Sequence, residues 1–195
     1  MRGKLRYRIH VLDSIVPPMA GLQNDNSMKI TIGSPKQMQT FARTIARTLK
    51  GGEILLLQGP LGSGKTTFVK VLAKALGVKK NVVSPTFTIC HAYELPRKKT
   101  TPNPSLLRRG IPSPYQGEGR WGLIHIDCYR LKTPEEFLHL GALEQIGSPD
   151  TVTVIEWPEK IKKFLPRAKQ VVLTFAYGKT EKERTVATDK FRIRN

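Results

Sequence analysis

The residues whose types and spacing point most directly to chemistry are the eight at positions 59–66, GPLGSGKT. They match the pattern G-x-x-x-x-G-K-[ST] of a phosphate-binding loop. In such a loop Gly59, Gly62 and Gly64 let the backbone turn its N–H groups inward, where they hold phosphate oxygens. Lys65 reaches the β- and γ-phosphates, and the Thr66 hydroxyl holds magnesium. The pattern predicts a site for a nucleoside triphosphate with Mg²⁺.

Two carboxylates are candidates for the rest of a hydrolytic site. Asp127 follows the run LIHI and Glu156 follows VTVI, so each ends a largely apolar segment that is typical of a buried strand. Hydrolysis needs a carboxylate that holds magnesium and a group that orients the attacking water. Both would lie at the carboxyl ends of strands, beside the loop. From these residues alone, either carboxylate could be the metal ligand.

Other polar and aromatic residues near these motifs allow two interpretations each. The segment 84–88, SPTFT, offers hydroxyls that could sense a γ-phosphate, or it is an ordinary turn before a strand. Trp157 could stack near the nucleotide or pack in the core. Three of the four histidines, His91, His125 and His139, have no metal-ligand spacing and are interpreted as structural or surface residues.

The elements that must position these residues can be predicted from periodicity. Residues 53–58 form a strand before the loop, and residues 66–76 form a helix that ends at Gly77. A first strand at 29–32 precedes a helix with Ser34 as N-cap, and Gly51 and Gly52 end that helix. Further strands are expected at 86–93, 121–127, 152–156, 170–176 and 184–193, with helical segments after Thr133 and around 158–164. This alternation predicts an α/β fold with a largely parallel central sheet flanked by helices.

Two segments do not fit the folded pattern. Residues 1–27 lack a sustained period and are predicted to be a disordered extension, so the domain spans 28–195. Residues 97–120 are rich in Pro, Gly and Arg, and they are predicted to be a disordered insertion in a hairpin loop. No apolar run approaches the roughly 20 residues of a membrane helix, and no secretory signal is evident. We therefore expect a cytoplasmic protein with no membrane partner.

The net charge of +18 raises the question of a nucleic-acid partner. The basic residues are spread along the chain and do not alternate with aromatic residues. A solvated cationic surface and a surface that meets an RNA-bearing partner are equally compatible with this pattern.

Together, the segments GPLGSGKTTF, SPTFT, HIDCYRL and IEWPE resemble the bacterial TsaE family, the small ATPase of tRNA threonylcarbamoyladenosine modification. The resemblance implies a P-loop NTPase fold, ATP and Mg²⁺ as ligands, and a partner complex of two related proteins that transfers the threonylcarbamoyl group. It also implies that tRNA is met indirectly through that complex, which ATP binding and hydrolysis reset. The isolated protein is then expected to hydrolyse ATP slowly.

The resemblance also implies roles for individual residues. Thr66 and Glu156 match the family's magnesium ligands, and Asp127, Lys65 and Thr86 match its catalytic positions. The expected nucleotide contacts are Ser34, Gly59, Gly62, Ser63, Gly64, Lys65, Thr66, Thr67, Trp157 and Arg184. Pro60 departs from the family because an acidic residue is usual at that position.

Three other functions remain open from the sequence. A small-molecule kinase of the P-loop class would need an Arg-rich lid, and Arg108 and Arg109 lie in a Pro-rich segment instead. A GTPase would need an N-K-x-D segment, which does not occur in the sequence. A non-enzymatic RNA-binding module rests on charge alone.

Overall fold

The computed structural model describes residues 27–85, 88–96, 121–140, 143–166 and 169–189, and these ranges contain a seven-stranded sheet. The strand order is β1-β7-β6-β2-β5-β4-β3. The strands are β1 (Ser27–Ile32), β2 (Ile54–Gln58), β3 (Cys90–Leu95), β4 (Trp121–Asp127), β5 (Thr151–Glu156), β6 (Gln170–Tyr177) and β7 (Arg184–Asp189). Two α-helices accompany them, α1 (Pro35–Thr48) and α2 (Lys65–Leu76).

The centre of the sheet is parallel, as predicted. Strands β6, β2, β5 and β4 run side by side in parallel, whereas β3, β7 and β1 add antiparallel pairings at the two edges. The carboxyl ends of the four parallel strands therefore lie side by side along one boundary of the sheet, which we call its carboxyl edge. Asp127 and Glu156 are direct neighbours there in the β4–β5 register.

Each face of the sheet carries its own layer. Alternate side chains of the central strands, such as Leu55 and Leu57, pack against α1 and α2 in one core. The intervening side chains, such as Ile54 and Leu56, pack on the other face against short 3₁₀ turns. These turns span Pro134–Leu140, Leu143–Gln145, Pro158–Lys160 and Lys162–Phe164. The sheet thus separates a helical layer, formed by α1 and α2, from a 3₁₀ layer, formed by these four turns.

The predicted signals at the start of α1 and at the end of α2 are confirmed. The Ser34 hydroxyl accepts a hydrogen bond from the Gln37 N–H at 3.2 Å, and Gln37 Oε1 accepts one from the Gly33 N–H at 2.6 Å. Gly77 ends α2 with φ 96°, the left-handed conformation that glycine adopts readily. The end of α1 differs from the prediction, because the chain leaves the helix at Leu49 in an extended conformation, before Gly51 and Gly52.

Other predicted boundaries need correction. β3 begins at Cys90 and not at 86, since Thr88 and Ile89 form a turn in which Ile89 has φ 63°. The helical segments expected after Thr133 and around 158–164 are 3₁₀ turns. Ser27, assigned to the extension, belongs to β1. The predicted insertion 97–120, residues 1–26 and Thr86 lie outside the described residues. Within the described ranges, no helix has the length and apolar character needed to cross a membrane.

Candidate active site

The loop between β2 and α2 lies at the carboxyl edge of the sheet, and its start depends on Gly59. A Cβ on Gly59 would stand 2.1 Å from the carbonyl oxygen of Phe175 on β6, and the residue has φ 126°. Both observations exclude a larger side chain without a shift of the backbone. Gly64, with φ 99°, precedes the first turn of α2. The backbone of the loop therefore leads directly into the N-terminal, positive end of α2, where anions bind.

Lys65 is held over this loop. It is 4% exposed, and its Nζ donates hydrogen bonds to the carbonyl oxygens of Gly59 at 2.7 Å and Pro60 at 2.8 Å. The same Nζ lies 4.2 Å from the ring centroid of Trp157, which is within the range of a cation–π contact. Burial lowers the pKa of Lys65, and the negative charges of Glu156 and Asp127 oppose that shift. Lys65 thus links the loop to the strand-end carboxylates.

Glu156 joins three elements with its two carboxylate oxygens. Oε2 accepts a hydrogen bond from the Thr66 hydroxyl of α2 at 2.9 Å, and Oε1 lies 2.9 Å from Nε2 of His125 on β4. Glu156 and His125 are both buried. A buried carboxylate is stable only if it is paired or hydrogen-bonded, and these two contacts meet that requirement. They also fix where the carboxylate stands relative to Thr66.

Asp127 stands beside Glu156 on the next strand and is 4% exposed. Its Oδ1 accepts a hydrogen bond from the Tyr129 N–H at 3.0 Å. Tyr129 in turn packs near Trp157, with ring centroids 5.1 Å apart. Trp157 itself has φ 57°, a costly conformation for a bulky residue that marks functional sites in many proteins. The two aromatic rings thus flank the carboxylates from the 3₁₀ side.

The remaining predicted residues divide into those near the loop and those apart from it. Arg184 lies near it, since its Nε donates to the carbonyl oxygen of Gly62 at 3.3 Å. Ser63 is fully buried in the loop, and its Oγ has no hydrogen-bond partner among the described residues. Thr67 is exposed on α2, and Ser34 uses its hydroxyl to cap α1. Thr86 lies outside the described residues, so its predicted role stays a prediction.

The sequence interpretation of the histidines missed His125. We interpreted it as a structural or surface residue, whereas its ring contacts the carboxylate of Glu156 from a neighbouring strand. One signal was present: His125 precedes Asp127 by two positions, and residues two apart on a strand point to the same face. The sequence does not show that β5 lies next to β4 in the sheet, and this adjacency brings Glu156 to His125.

The oxygen donors at this edge fit a hard divalent cation. Thr66 Oγ1 and Glu156 Oε2 form a pair of oxygens beside the loop. Magnesium is usually bound by one or two protein oxygens together with substrate phosphates, and a full protein cage is not required. In the described part of the chain no group of three or more His, Cys, Asp or Glu residues could hold a metal. A magnesium ion at this edge would therefore complete its coordination with phosphate oxygens and water.

Fold and loop together place the chain in the P-loop class of α/β proteins. The family model described as "Threonylcarbamoyl adenosine biosynthesis protein TsaE" matches residues 32–103 and 110–186. The chain therefore belongs to the TsaE family, whose members act in tRNA threonylcarbamoyladenosine biosynthesis. The matched blocks leave out residues 104–109, which lie within the predicted insertion at 97–120.

Individual proteins that are similar to this chain include named members of the same family. The chain is similar to the tRNA threonylcarbamoyladenosine biosynthesis protein TsaE of Treponema pallidum, with 31% identity over 82% of this chain and 100% of that protein. It is similar to the Rickettsia bellii TsaE, with 34% identity over 74% of this chain and 83% of that protein. The crystal structure of Bacillus subtilis YdiB matches with a TM-score of 0.52 and 27% identity, covering 83% of this chain and 84% of YdiB.

Proposed function

We propose that this protein is a magnesium-dependent ATPase required for threonylcarbamoyladenosine modification of tRNA. In this proposal it binds a threonylcarbamoyl-transferase complex of two related proteins and resets that complex through ATP binding and hydrolysis. The observation that carries the proposal is the 2.9 Å contact between Thr66 at the start of α2 and Glu156 at the end of β5, with Asp127 beside it. Family membership supports the biological role.

The loop side of the site would bind and orient the triphosphate. Backbone N–H groups of the loop and the positive end of α2 face the phosphates, and Lys65 adds a charge that its current partners, two neutral carbonyls, do not neutralise. The buried hydroxyl of Ser63 has no partner among the described residues and offers a further donor. Trp157 and Arg184 border the loop on either side and would limit the nucleotide's position.

The strand side of the site would hold the metal and the attacking water. Thr66 and Glu156 would hold magnesium, and a bound ion would supply positive charge beside the phosphates. Asp127, the neighbouring carboxylate, would accept a hydrogen bond from water and orient it toward the γ-phosphate. Water adds to phosphorus, the bond to the β-phosphate oxygen breaks, and ADP and inorganic phosphate leave with the released proton.

Exposed apolar side chains beside the loop support a protein partner close to the nucleotide. Leu61 in the loop is 63% exposed and Tyr177 at the end of β6 is 56% exposed, and the Tyr177 hydroxyl donates to the carbonyl oxygen of Leu61 at 2.5 Å. A partner that covers this pair would sense the loop conformation directly. Such an arrangement would explain why hydrolysis is coupled to a complex and slow without it.

The proposal is tested by ATP hydrolysis and by threonylcarbamoyladenosine formation on tRNA, each with and without the transferase complex. Wild type should hydrolyse ATP slowly alone and faster with the complex, only in the presence of Mg²⁺. Glu156→Gln and Asp127→Asn should abolish both activities, while Glu181→Gln, which removes an exposed carboxylate elsewhere, should leave them unchanged. Modification that proceeds at the wild-type rate with Glu156→Gln would sink the proposal.

A further inference from the structure

We infer that the outer face of the helical layer binds the phosphate backbone of RNA directly, a function beyond the proposed ATPase. The first observation is the charge of the two helices. Neither α1 nor α2 contains an aspartate or glutamate, and both present basic side chains to solvent. These exposed residues are Lys36, Arg43 and Arg47 on α1 and Lys70 and Lys74 on α2.

The geometry gathers these charges on one side of the molecule. The opposite sides of both helices, including Met38, Phe41, Phe68 and Leu72, are buried in one core on one face of the sheet. Arg43 and Arg47 are four residues apart, and so are Lys70 and Lys74, so each pair lies along the outward face of its helix. The chain continues the basic character beyond the helices at Lys50, Lys79 and Lys80, all exposed.

Acidic residues do not offset this charge. Within residues 27–85 the sequence has one acidic residue, Glu53, which is buried and accepts hydrogen bonds from the backbone N–H groups of Lys50 and Gly51. The 3₁₀ layer on the opposite face differs, because its lysines are mixed with Glu135, Glu136, Glu144 and Glu159. Among the described residues, the positive charge is therefore concentrated on the helical face.

A solvated surface alone does not account for this arrangement. Like charges four residues apart destabilise a helix, and Lys36 stands in the first turn of α1, where a positive charge is unfavourable. Arg47 and Lys74 stand in the last turns, where a positive charge is favourable, so it is the repulsion within each pair and the position of Lys36 that oppose helix stability. An anionic partner would turn the same charge into binding free energy, since each neutralised phosphate releases counterions.

The chemistry of the surface favours RNA over a lipid bilayer. An interfacial membrane helix needs a free apolar face, and the apolar faces of α1 and α2 are buried in the core. Among the described residues, the exposed large hydrophobic side chains are Leu61, Val83, Tyr129, Leu138 and Tyr177, none of which lies on these helices. Lysine and arginine side chains are the usual partners of phosphate oxygens, and a surface without exposed aromatic rings offers no platform on which bases could stack. Relatives of this chain are named for tRNA threonylcarbamoyladenosine biosynthesis, so structured RNA is the expected polyanion.

The test measures binding of an unmodified tRNA transcript to the full chain by fluorescence anisotropy, without nucleotide, at several salt concentrations. The layer variant combines Arg43→Gln, Lys70→Gln and Lys74→Gln. The matched control combines Lys132→Gln, Lys162→Gln and Lys163→Gln, which removes the same three charges from exposed positions of the other face. Thermal unfolding of each variant checks that the fold is retained.

We expect the layer variant to lose about tenfold or more in affinity near 0.1 M salt, and its salt dependence to be shallower by about 2 in log–log slope. The control triple should bind like wild type, and the charge-conserving set Arg43→Lys, Lys70→Arg and Lys74→Arg should restore binding. Lys65→Ala should leave RNA binding unchanged, so the result does not depend on whether the protein hydrolyses ATP.

Four outcomes would overturn the inference. Wild type could fail to bind tRNA at 0.1 M salt, or the two triple variants could lose affinity equally, as expected if only net charge matters. Vesicles of anionic phospholipid could compete for the same face more strongly than tRNA. Finally, the layer variant could keep its RNA affinity but lose association with the transferase complex, which would assign the face to an acidic protein.

Discussion

The two sides of the candidate site are built in different ways. The loop side consists of consecutive residues, and its shape depends on the backbone at Gly59 and Gly64. The strand side brings together residues that are distant in the chain, since Thr66 and Glu156 are 90 positions apart and His125 comes from a third element. A local segment therefore suffices to build the proposed phosphate site, but only the assembled sheet brings the two carboxylates next to it.

The largest effect is expected when the positive charge of Lys65 is removed from the loop side. In Lys65→Ala the ammonium between the loop carbonyls and Trp157 is lost, and with it the cation that would contact the β- and γ-phosphates. Removing one such preorganised charge typically lowers turnover by about 10²–10³-fold. We expect a loss of that size in ATP hydrolysis, measured by phosphate release with the transferase complex present.

The control for this variant is Lys70→Ala, which removes an exposed lysine from the same helix. It should hydrolyse ATP at the wild-type rate. Equal rates for Lys65→Ala and wild type would contradict the assignment of the loop as the phosphate site.

The second prediction compares two glycines of the loop. Gly62 is needed for its positive φ, whereas Gly59 is needed both for its positive φ and because a side chain would not fit. Gly62→Ala places a Cβ in ordinary van der Waals contact, 3.7 Å from the Tyr177 hydroxyl oxygen, and costs only the left-handed strain of about 1–2 kcal/mol. Gly59→Ala adds a clash with the β6 backbone at Phe175. We expect Gly59→Ala to lower the free energy of unfolding, measured by urea denaturation, by clearly more than Gly62→Ala. Equal losses would mean that the loop and β6 are less tightly packed than the structure indicates.

Sequence reasoning was accurate on the loop side and incomplete on the strand side for the same physical reason. The loop, α2 and its end at Gly77 depend on neighbouring residues, so a local pattern predicts them. Asp127 and Glu156 could be placed at strand ends, but their adjacency depends on the order of β4 and β5, which no local pattern contains. His125 was missed because its partner, Glu156, is 31 positions away. The 3₁₀ turns were predicted as helices because capping signals mark where a helical turn begins and not how far it continues.

The third prediction tests His125 as a positioning residue for Glu156. His125→Leu would leave Oε1 of Glu156 buried without its partner, so the carboxylate would lose its fixed orientation toward Thr66. Loss of a residue that orients a metal ligand typically lowers metal affinity or activity by about 10–100-fold. We expect the Mg²⁺ concentration for half-maximal hydrolysis to rise by that factor in His125→Leu.

The variant His125→Gln distinguishes positioning from packing, because its side-chain amide can donate to Glu156 from nearly the same place as Nε2. It should recover most of the Mg²⁺ dependence, with thermal unfolding followed in both variants. If Gln and Leu raise the Mg²⁺ requirement equally, the contact with Glu156 is not what His125 contributes.

The smallest expected effect is on the alkylation rate of Cys128, which depends on the negative charge at the strand side of the site. Burial, with the negative charge of Asp127 as the next cause, raises the pKa of the Cys128 thiol to about 12. In the native protein at pH 8 this thiol should resist iodoacetamide, since the thiolate is the reactive form.

Asp127→Asn removes a negative charge near Cys128, so the thiolate is less disfavoured, the pKa of Cys128 falls and its alkylation accelerates. Because burial is the larger cause, we expect an acceleration below about tenfold, which corresponds to less than about 1.4 kcal/mol. Peptide mapping by mass spectrometry would separate Cys128 from the half-buried Cys90, and Asp150→Asn, which lies before the amino end of β5 and away from the thiol, should have no effect. If Asp127→Asn slowed the alkylation of Cys128, the strand side would not carry the negative charge that distinguishes it from the loop.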